Sequence, residues 1–578
     1  MLRYETIQGM KKGILLCLAA IIVAAIAAFA VITLYDDGAK EQSKKENMSL
    51  RSEIDDLLVF YIDLDQLATK GAFDQYLDEN NRKMFATMAS SAIANKSLAS
   101  HASNIITDFS ASGLNFKKPA YAYFNEDGNM AFVIEVKDVA NVDKTVELLS
   151  FIYQEEEGEP LPIERNGKNR IIDLGGKAII GYNGTRFVIA ANTEGDDARA
   201  VAVDALKRPL SNLSIFGDSD IAIYANYDKG YGIMRNILET TKAEYEELAL
   251  EDDYYEGSVM EIEQVLTIFD SYSGMIKKGA NAIVSLTFEA GRATLNSTVN
   301  GIDMSKAKDI VKLTNNKHLN YISDDAAIVV NIGINGKKYA EIIDLILNSE
   351  FFTNSEYNTN EVNMIAGIAC DAIKSINGDF TIAVEDIQGK YESIYDSYFD
   401  EYYGSVNVTG ASASVMIDVD DSYIISNLGQ FAGGFLRRQD NTHYYGSFSG
   451  LDITLGQDDN VLHAGVNTTY DRKANSAADA NWVPSVENSL WYAVVDVDNL
   501  MNYSYIKAAN KEIMEDMDFI ERDIYNKYID LCDYAYISQM SLDEGEVVIV
   551  LDDKQTNALK QIVDVIMPTL SSLMMQNM

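Results

Sequence analysis

Residues 59–67 read Val59-Phe60-Tyr61-Ile62-Asp63-Leu64-Asp65-Gln66-Leu67, an apolar strand that ends on a small polar residue and passes directly into a helix. The pattern returns three times. Tyr61-Ile62-Asp63-Leu64-Asp65 matches Asn331-Ile332-Gly333-Ile334-Asn335, and Tyr224-Ala225-Asn226-Tyr227-Asp228 matches Val494-Val495-Asp496-Val497-Asp498, at one common offset along the chain. Further pairs follow in order: Ile134–Asp138 with Ile417–Asp421, Gly181 with Gly456, and Glu289-Ala290-Gly291 with Asp543-Glu544-Gly545. Ordered self-similarity of this kind predicts a tandem duplication, with halves at 57–318 and 319–578.

Between these openings the sequence alternates short apolar runs, turn signals and helical periods. Asn125-Glu126-Asp127-Gly128-Asn129 predicts a tight hairpin, because Asp-Gly supplies the positive φ such turns need; Tyr182-Asn183-Gly184-Thr185 and Asp543-Glu544-Gly545 repeat that chemistry. Apolar residues three and four apart predict helices over Val142–Tyr153, Glu261–Tyr272, Glu361–Ile376 and Asn557–Met575. Hairpin-paired strands with interspersed helices imply an α+β fold of antiparallel sheets.

Upstream, residues 13–34 (GILLCLAAIIVAAIAAFAVITL) form an uncharged apolar run. A helix of about 20 such residues spans the ~30 Å hydrocarbon core, so segment 13–35 is expected to be a transmembrane anchor. Arg3, Lys11 and Lys12 precede it and Asp36 and Asp37 follow, which places residues 1–12 in the cytoplasm and exports the body. Ala28-Phe29-Ala30 offers a signal-peptidase site as the alternative, and Met10-Lys11-Lys12 an alternative start. Residues 36–56 are charged and form a polar tether. Cys17 follows Leu16 instead of a small residue, so no lipobox is present.

The formal net charge of -41 excludes a nucleic-acid partner, since phosphate recognition needs clustered Lys and Arg. With three cysteines, one of them in the apolar run, no disulfide framework is expected; Cys370 lies on the apolar face of a helical pattern and is read as a buried thiol. The four histidines, His101, His318, His443 and His463, show no metal-ligand spacing, so neither a metal nor another cofactor is expected, and His463 is read as a histidine on a sheet face. Gly446-Ser447-Phe448-Ser449-Gly450 is not a nucleophile elbow and reads as a loop. Gly333-Ile334-Asn335-Gly336-Lys337-Lys338 is too short between its glycines to wrap a phosphate. The paired carboxylates Asp63/Asp65, Asp418/Asp420/Asp421 and Asp496/Asp498 suit chelation or acid–base work; equally they end strands and cap helices, which the match of Asp63 and Asp65 to Gly333 and Asn335 favours.

Two acidic, tyrosine-rich segments break the match between halves: Glu244–Gly257 in the first and Tyr391–Gly404 in the second. Loops vary while cores persist, so half-specific contacts are expected there. Read as a helix, Tyr391–Gly404 lines Glu392, Asp396, Asp400 and Glu401 along one side, with Tyr395, Tyr398, Phe399 and Tyr402 nearby. Glu392, Tyr395, Asp396, Tyr398, Asp400, Glu401 and Tyr402 are therefore the candidate surface for a basic protein patch, a glycan or a divalent cation.

The opening at Val59–Leu67, the stretch Ser112-Gly113-Leu114-Asn115-Phe116-Lys117-Lys118-Pro119-Ala120-Tyr121 and the strand Val133–Asp138 together resemble domain-of-unknown-function family 4836, over most of residues 50–578. The resemblance implies an envelope protein of Bacteroidota and carries over no catalytic residues. Members of that family often look like lipoproteins. The missing lipobox points instead to an inner-membrane anchor with the body in the periplasm. The expectation is a non-catalytic binding protein of the cell envelope; the alternatives are an exported carboxylate-dependent hydrolase and an envelope chaperone or assembly factor.

Overall fold

The computed structural model describes residues 56–576 except 77–81, 84–85, 88–89, 91–92, 175–177, 193–197, 209–212, 251–254, 306, 348–366, 368–369, 397–400, 421–424, 426–435, 449, 516 and 518. The expected anchor over 13–35 and all but the last residue of the tether lie outside the described residues. Among the described residues no helix is long and apolar enough to cross a membrane.

The strand-to-helix openings form as their chemistry requires. In β1 (Leu58–Ile62) Val59 and Tyr61 are buried while Phe60 faces solvent, the alternation of a half-buried strand. Asp63 then caps the helix Leu64–Lys70, its carboxylate accepting from the Gln66 N–H at 3.0 Å. Asn226 and Asp496 cap the helices Tyr227–Ala249 and Val497–Asn502 in the same way, accepting from Lys229 N and Asn499 N. The carboxylates at 63 and 496 thus satisfy backbone donors at helix starts.

The remaining strands of the first set are β2 (Ala120–Phe124), β3 (Asn129–Glu135), β4 (Ile163–Asn166), β5 (Asn169–Asp173), β6 (Ala178–Tyr182), β7 (Arg186–Asn192), β8 (Ile221–Asn226), β9 (Ile276–Glu289) and β10 (Arg292–Ile302). They pair antiparallel in the order β4-β5-β6-β7-β3-β2-β1-β8-β9-β10. After the short β11 (Val311–Lys312), which pairs with β12, come β12 (Ile328–Asn335), β13 (Ile376–Asp396), β14 (Glu401–Val419), β15 (Arg437–Arg438), β16 (His443–Phe448), β17 (Leu451–Asp458), β18 (Val461–Val466), β19 (Trp491–Asp496), β20 (Cys532–Gln539) and β21 (Glu544–Leu551). These pair antiparallel as β15-β16-β17-β18-β14-β13-β12-β19-β20-β21, which repeats the order of the first ten. The two sets meet at one seam: β10 pairs antiparallel with β21, Arg292 opposite Val550 through Thr298 opposite Glu544, so the sheet runs continuously through both.

Each set carries its own core. In the first, Val59, Tyr61, Tyr121, Val133, Val188 and Tyr224 pack under the helix Ala198–Lys207, which buries Val201, Ala202, Ala205 and Leu206. In the second, Val329, Ala383, Met416, Tyr492, Val494 and Val548 pack under irregular chain that supplies Trp482 and Val486.

The hairpins at Asn125–Asn129 and Asn183–Thr185 join β2 to β3 and β6 to β7 as their turn chemistry predicts. Helices span Val139–Glu157, Glu256–Ser273 and Ala558–Gln576. Half of the helix expected over Glu361–Ile376 lies outside the described residues; within it Gly367 and residues 370–374 are helical, and Ile376 is the first residue of β13. Gly446–Phe448, read as loop, belongs to β16.

Candidate functional site

The acidic tyrosine segment of the second half is a strand ribbon, not a helix. β13 and β14 pair from Phe380 opposite Ile417 out to Asp396 opposite Glu401. Their sheet neighbours stop short: β12 pairs no farther than Val384, and β18 ends opposite Ala413. Beyond those points the two strands continue as a two-stranded ribbon. A spacing of four is an even number, so positions 392 and 396, which would share a helix face, also fall on one side of a strand, and β-branched and aromatic residues along both strands favour the latter.

Among the expected surface residues, Glu392 is exposed and ion-paired with Lys390 at 3.1 Å. The register sets Asp396 opposite Glu401 and Tyr395 opposite Tyr402. Tyr398 and Asp400 lie outside the described residues. The helix Ser504–Glu515 braces the ribbon: Gly389 N–H donates to Ser504 Oγ at 3.0 Å, and the Lys511 ammonium sits 4.3 Å from the centre of the Tyr391 ring.

The other irregular segment, Glu244–Gly257, ends one helix and begins the next. Tyr227–Ala249 and Glu256–Ser273 form a helical hairpin held by the stacked Tyr231 and Phe269 rings, 4.5 Å apart, and by Lys242 with Glu263. This arm leaves large apolar residues in solvent: Met234, Ile237, Leu248 and Val265 are exposed, Met260 is 60% exposed and Leu250 88%.

Carboxylates placed for chemistry are mostly otherwise engaged. His318 is completely buried, its Nδ1 2.8 Å from Thr381 Oγ1 and its Nε2 3.0 Å from Asp418. Thr381 donates to Asn331, Asn331 donates to Asp379, and Asp379 accepts from the N–H groups of Asn315 and Asn316. Burial opposes the charge on Asp418, yet hydrogen bonds from His318 and Lys317 outweigh it and hold the carboxyl below its ordinary range. This network is sealed from substrate and ties β12, β13 and β14 to the chain around His318. A polar cavity of about 620 Å³ is lined by Asp56, Glu126, Asp204, Lys207, Arg208 and Lys229. Two of its carboxylates face cations at contact distance: Asp56 with Arg208 at 2.7 Å and Glu126 with Lys229 at 2.5 Å. Asp498, Asp533 and Asp552 converge on the surface, where Lys554 binds Asp533 at 2.6 Å.

One further constellation forms on the outer strands of the second set. The register places His443 of β16 opposite Gly456 of β17, and Gly456 opposite His463 of β18. Both imidazoles reach Asp458: His443 Nε2 lies 3.2 Å and His463 Nε2 3.1 Å from the same carboxylate oxygen, Oδ2. The other nitrogen of His443, Nδ1, is 3.0 Å from each oxygen of Asp440, which is itself fixed by the backbone N–H groups of Thr442 and His443, both at 2.8 Å. Tyr470 stacks on His463 at 4.3 Å. Burial pulls His463 below its ordinary value. His443 is also opposed by burial, but Asp440 and Asp458 prevail and raise it. Local spacing gives no hint of this cluster, because two hairpin turns separate its members; only the strand register brings them together.

A family model described as Domain of unknown function (DUF4836) matches residues 53–559. No curated protein and no solved structure matches the chain.

Proposed function

The chain belongs to the DUF4836 family, and from that premise we propose that it is a membrane-anchored, extracytoplasmic, non-catalytic protein that binds a partner protein in the cell envelope. The apolar run at 13–34 supports the anchor, and the Lys and Arg residues before it support export of the body. The repeated strand order supports descent of the two halves from one duplicated unit.

The observation that carries the binding reading is the helical arm Tyr227–Ser273. Its exposed Met234, Ile237, Leu248, Leu250, Met260 and Val265 stand among acidic residues, and apolar side chains left in water on one element mark an interaction surface. A partner that fits them presents apolar residues rimmed by basic ones. Catalysis has less support, since the His318 network is sealed and two carboxylates of the large cavity are ion-paired.

A photo-crosslinking residue at Met260, in cells fractionated before illumination, tests both parts. The expected result is a membrane-associated chain that forms one dominant protein adduct, absent when the crosslinker replaces exposed Phe448 on the second set. Recovery of the intact chain in the soluble cytosolic fraction overturns the anchor. A membrane-bound chain that crosslinks equally from both positions overturns the arm as the binding surface.

A further inference from the structure

We propose that His443, Asp458 and His463 form a binding site for a borderline divalent transition metal, Zn²⁺ foremost. Two imidazoles and a carboxylate converge with their lone-pair atoms within 4.8 Å of one another. Ligands at the ~2.0–2.1 Å typical of Zn–N and Zn–O bonds stand ~3.3 Å apart along a tetrahedral edge. The two Nε2–Oδ2 distances of 3.2 and 3.1 Å are already near that edge.

Three features of the surroundings favour a cation over simple packing. Gly456 lies between the histidines in the register, and a Cβ there would come within 2.5 Å of carbon atoms of both imidazoles; the missing side chain is what lets the two rings lean together, with centroids 5.8 Å apart. Asp440 faces Nδ1 of His443, so a neutral ring that donates to Asp440 turns its Nε2 lone pair toward Asp458. This is the carboxylate–histidine–metal arrangement that orients ligands in metal sites. A lone pair aimed at a carboxylate oxygen is repulsive unless a proton or a metal ion lies between them. Finally, His463 is almost fully buried at 7% exposure while His443 and Asp458 are 29% and 48% exposed, so the site is held from below and open above, leaving room for water or a ligand at a fourth position.

The first set of strands shows what packing alone asks for at this place. There Gly181 of β6 stands between Ile171 and Val188 in the register, and the helix Ala198–Lys207 covers them, with Leu206 and Ala202 near the glycine. The fold therefore needs only apolar residues at these positions. The second set puts histidines in both, adds Asp458 and Asp440, and replaces the covering helix with irregular chain from which Tyr470 stacks on His463. The ligand set of two nitrogens and one carboxylate suits Zn²⁺ and its transition-metal neighbours more than Ca²⁺ or Mg²⁺, which prefer all-oxygen shells.

The test uses the purified full chain stripped with chelator and titrated with Zn²⁺ by calorimetry, and with Co²⁺ by visible absorption, which reads nitrogen and oxygen coordination directly. The expected result is one Zn²⁺ bound per chain with proton release, a Co²⁺ spectrum displaced by Zn²⁺, and no matching signal from Ca²⁺. His443→Gln and Asp458→Asn, both on solvent-accessible residues, each weaken Zn²⁺ binding more than 100-fold, and Asp440→Asn, which removes only the orienting carboxylate, weakens it about 10- to 100-fold. Circular dichroism identifies any variant that fails to fold, and the other two then stand as the test. Absence of a Co²⁺ spectrum in the unaltered chain overturns the proposal. Zn²⁺ binding left unchanged by His443→Gln and Asp458→Asn overturns it as well, because the ion then resides elsewhere on this acidic surface.

Discussion

Asp418 shows how much one residue can hold together. It accepts from His318 at 3.0 Å, from the Lys317 ammonium at 2.6 Å and from the Asp379 N–H at 3.1 Å, all in a nearly water-free setting. Removing one member of such a group strands the others, so Asp418→Asn is expected to lower stability by about 3–5 kcal/mol at neutral pH, read from the urea midpoint. A loss under 1 kcal/mol would show that the network relaxes freely. The sign with pH follows from the depressed carboxyl. Its stabilisation is fully present above the unfolded value of about 4 and is lost as pH falls through the lower folded value, so the gap between parent and variant closes only in acid. Asp63 belongs to a milder class. It satisfies one backbone donor at a helix start, and Asp63→Ala is expected to cost about 1 kcal/mol in the same assay; a neutral outcome would mean water replaces the cap without loss. The capping role of Asp63 and Asp496 was legible in the sequence because it needs only neighbours three residues away. The role of Asp418 was not, since its partners come from positions about forty and a hundred residues distant.

At the scale of elements, the same rule separates what could be read from what could not. Tight hairpins announce themselves through local φ requirements, and Asn125–Asn129 folds accordingly, with Gly128 at φ 72°. The ribbon of β13 and β14 does not, because a four-residue spacing of charges fits both helical and extended chain; the pairing of the two strands with each other and the bracing helix Ser504–Glu515 hold the extended form. Gly389 marks that brace. A Cβ on it would meet the Tyr505 Cα at 2.6 Å, a backbone atom that cannot swing aside. Gly389→Ala is therefore expected to push the helix off the ribbon at a cost of about 1–3 kcal/mol, accompanied by faster amide exchange in both elements. Unchanged exchange in residues 504–515 would show that the helix is held by its other contacts alone. The histidine site belongs to this scale too: no motif encodes it, and it exists because two hairpins put residues 443, 456 and 463 in one row across three strands.

At the scale of the molecule, the two sets of strands are joined by more than a linker. Segments that follow the last strand of each set cross to the other. Leu319 and Ile322, soon after β10 and β11, are buried in the second core, while the helix Ala558–Gln576, after β21, lies against the helix Leu64–Lys70 and strands β9 and β10. The crossing at β21 is pinned by backbone: Leu551 N–H donates to Gly291 O and Gly291 N–H to Thr556 O, both at 2.8 Å. Gly291 itself sits at φ +66°, and a Cβ would approach the Lys554 Cα at 2.6 Å, so only glycine allows the two segments to come this close. Add the seven facing pairs of the β10–β21 seam, with every interior N–H and C=O of the ladder able to find a partner, and separation would expose a sheet edge and an apolar helix face at once. A chain cut by a protease site inserted after Met304 is therefore expected to elute from a sizing column as one species of the uncut size in native buffer. The fragments should part only in denaturant, and deletion of 558–576 from the cut chain should lower the urea concentration at which they do. Fragments that separate without denaturant would mean that the seam forms only under the constraint of the intervening chain, and that the halves meet as tethered domains instead of sharing one sheet.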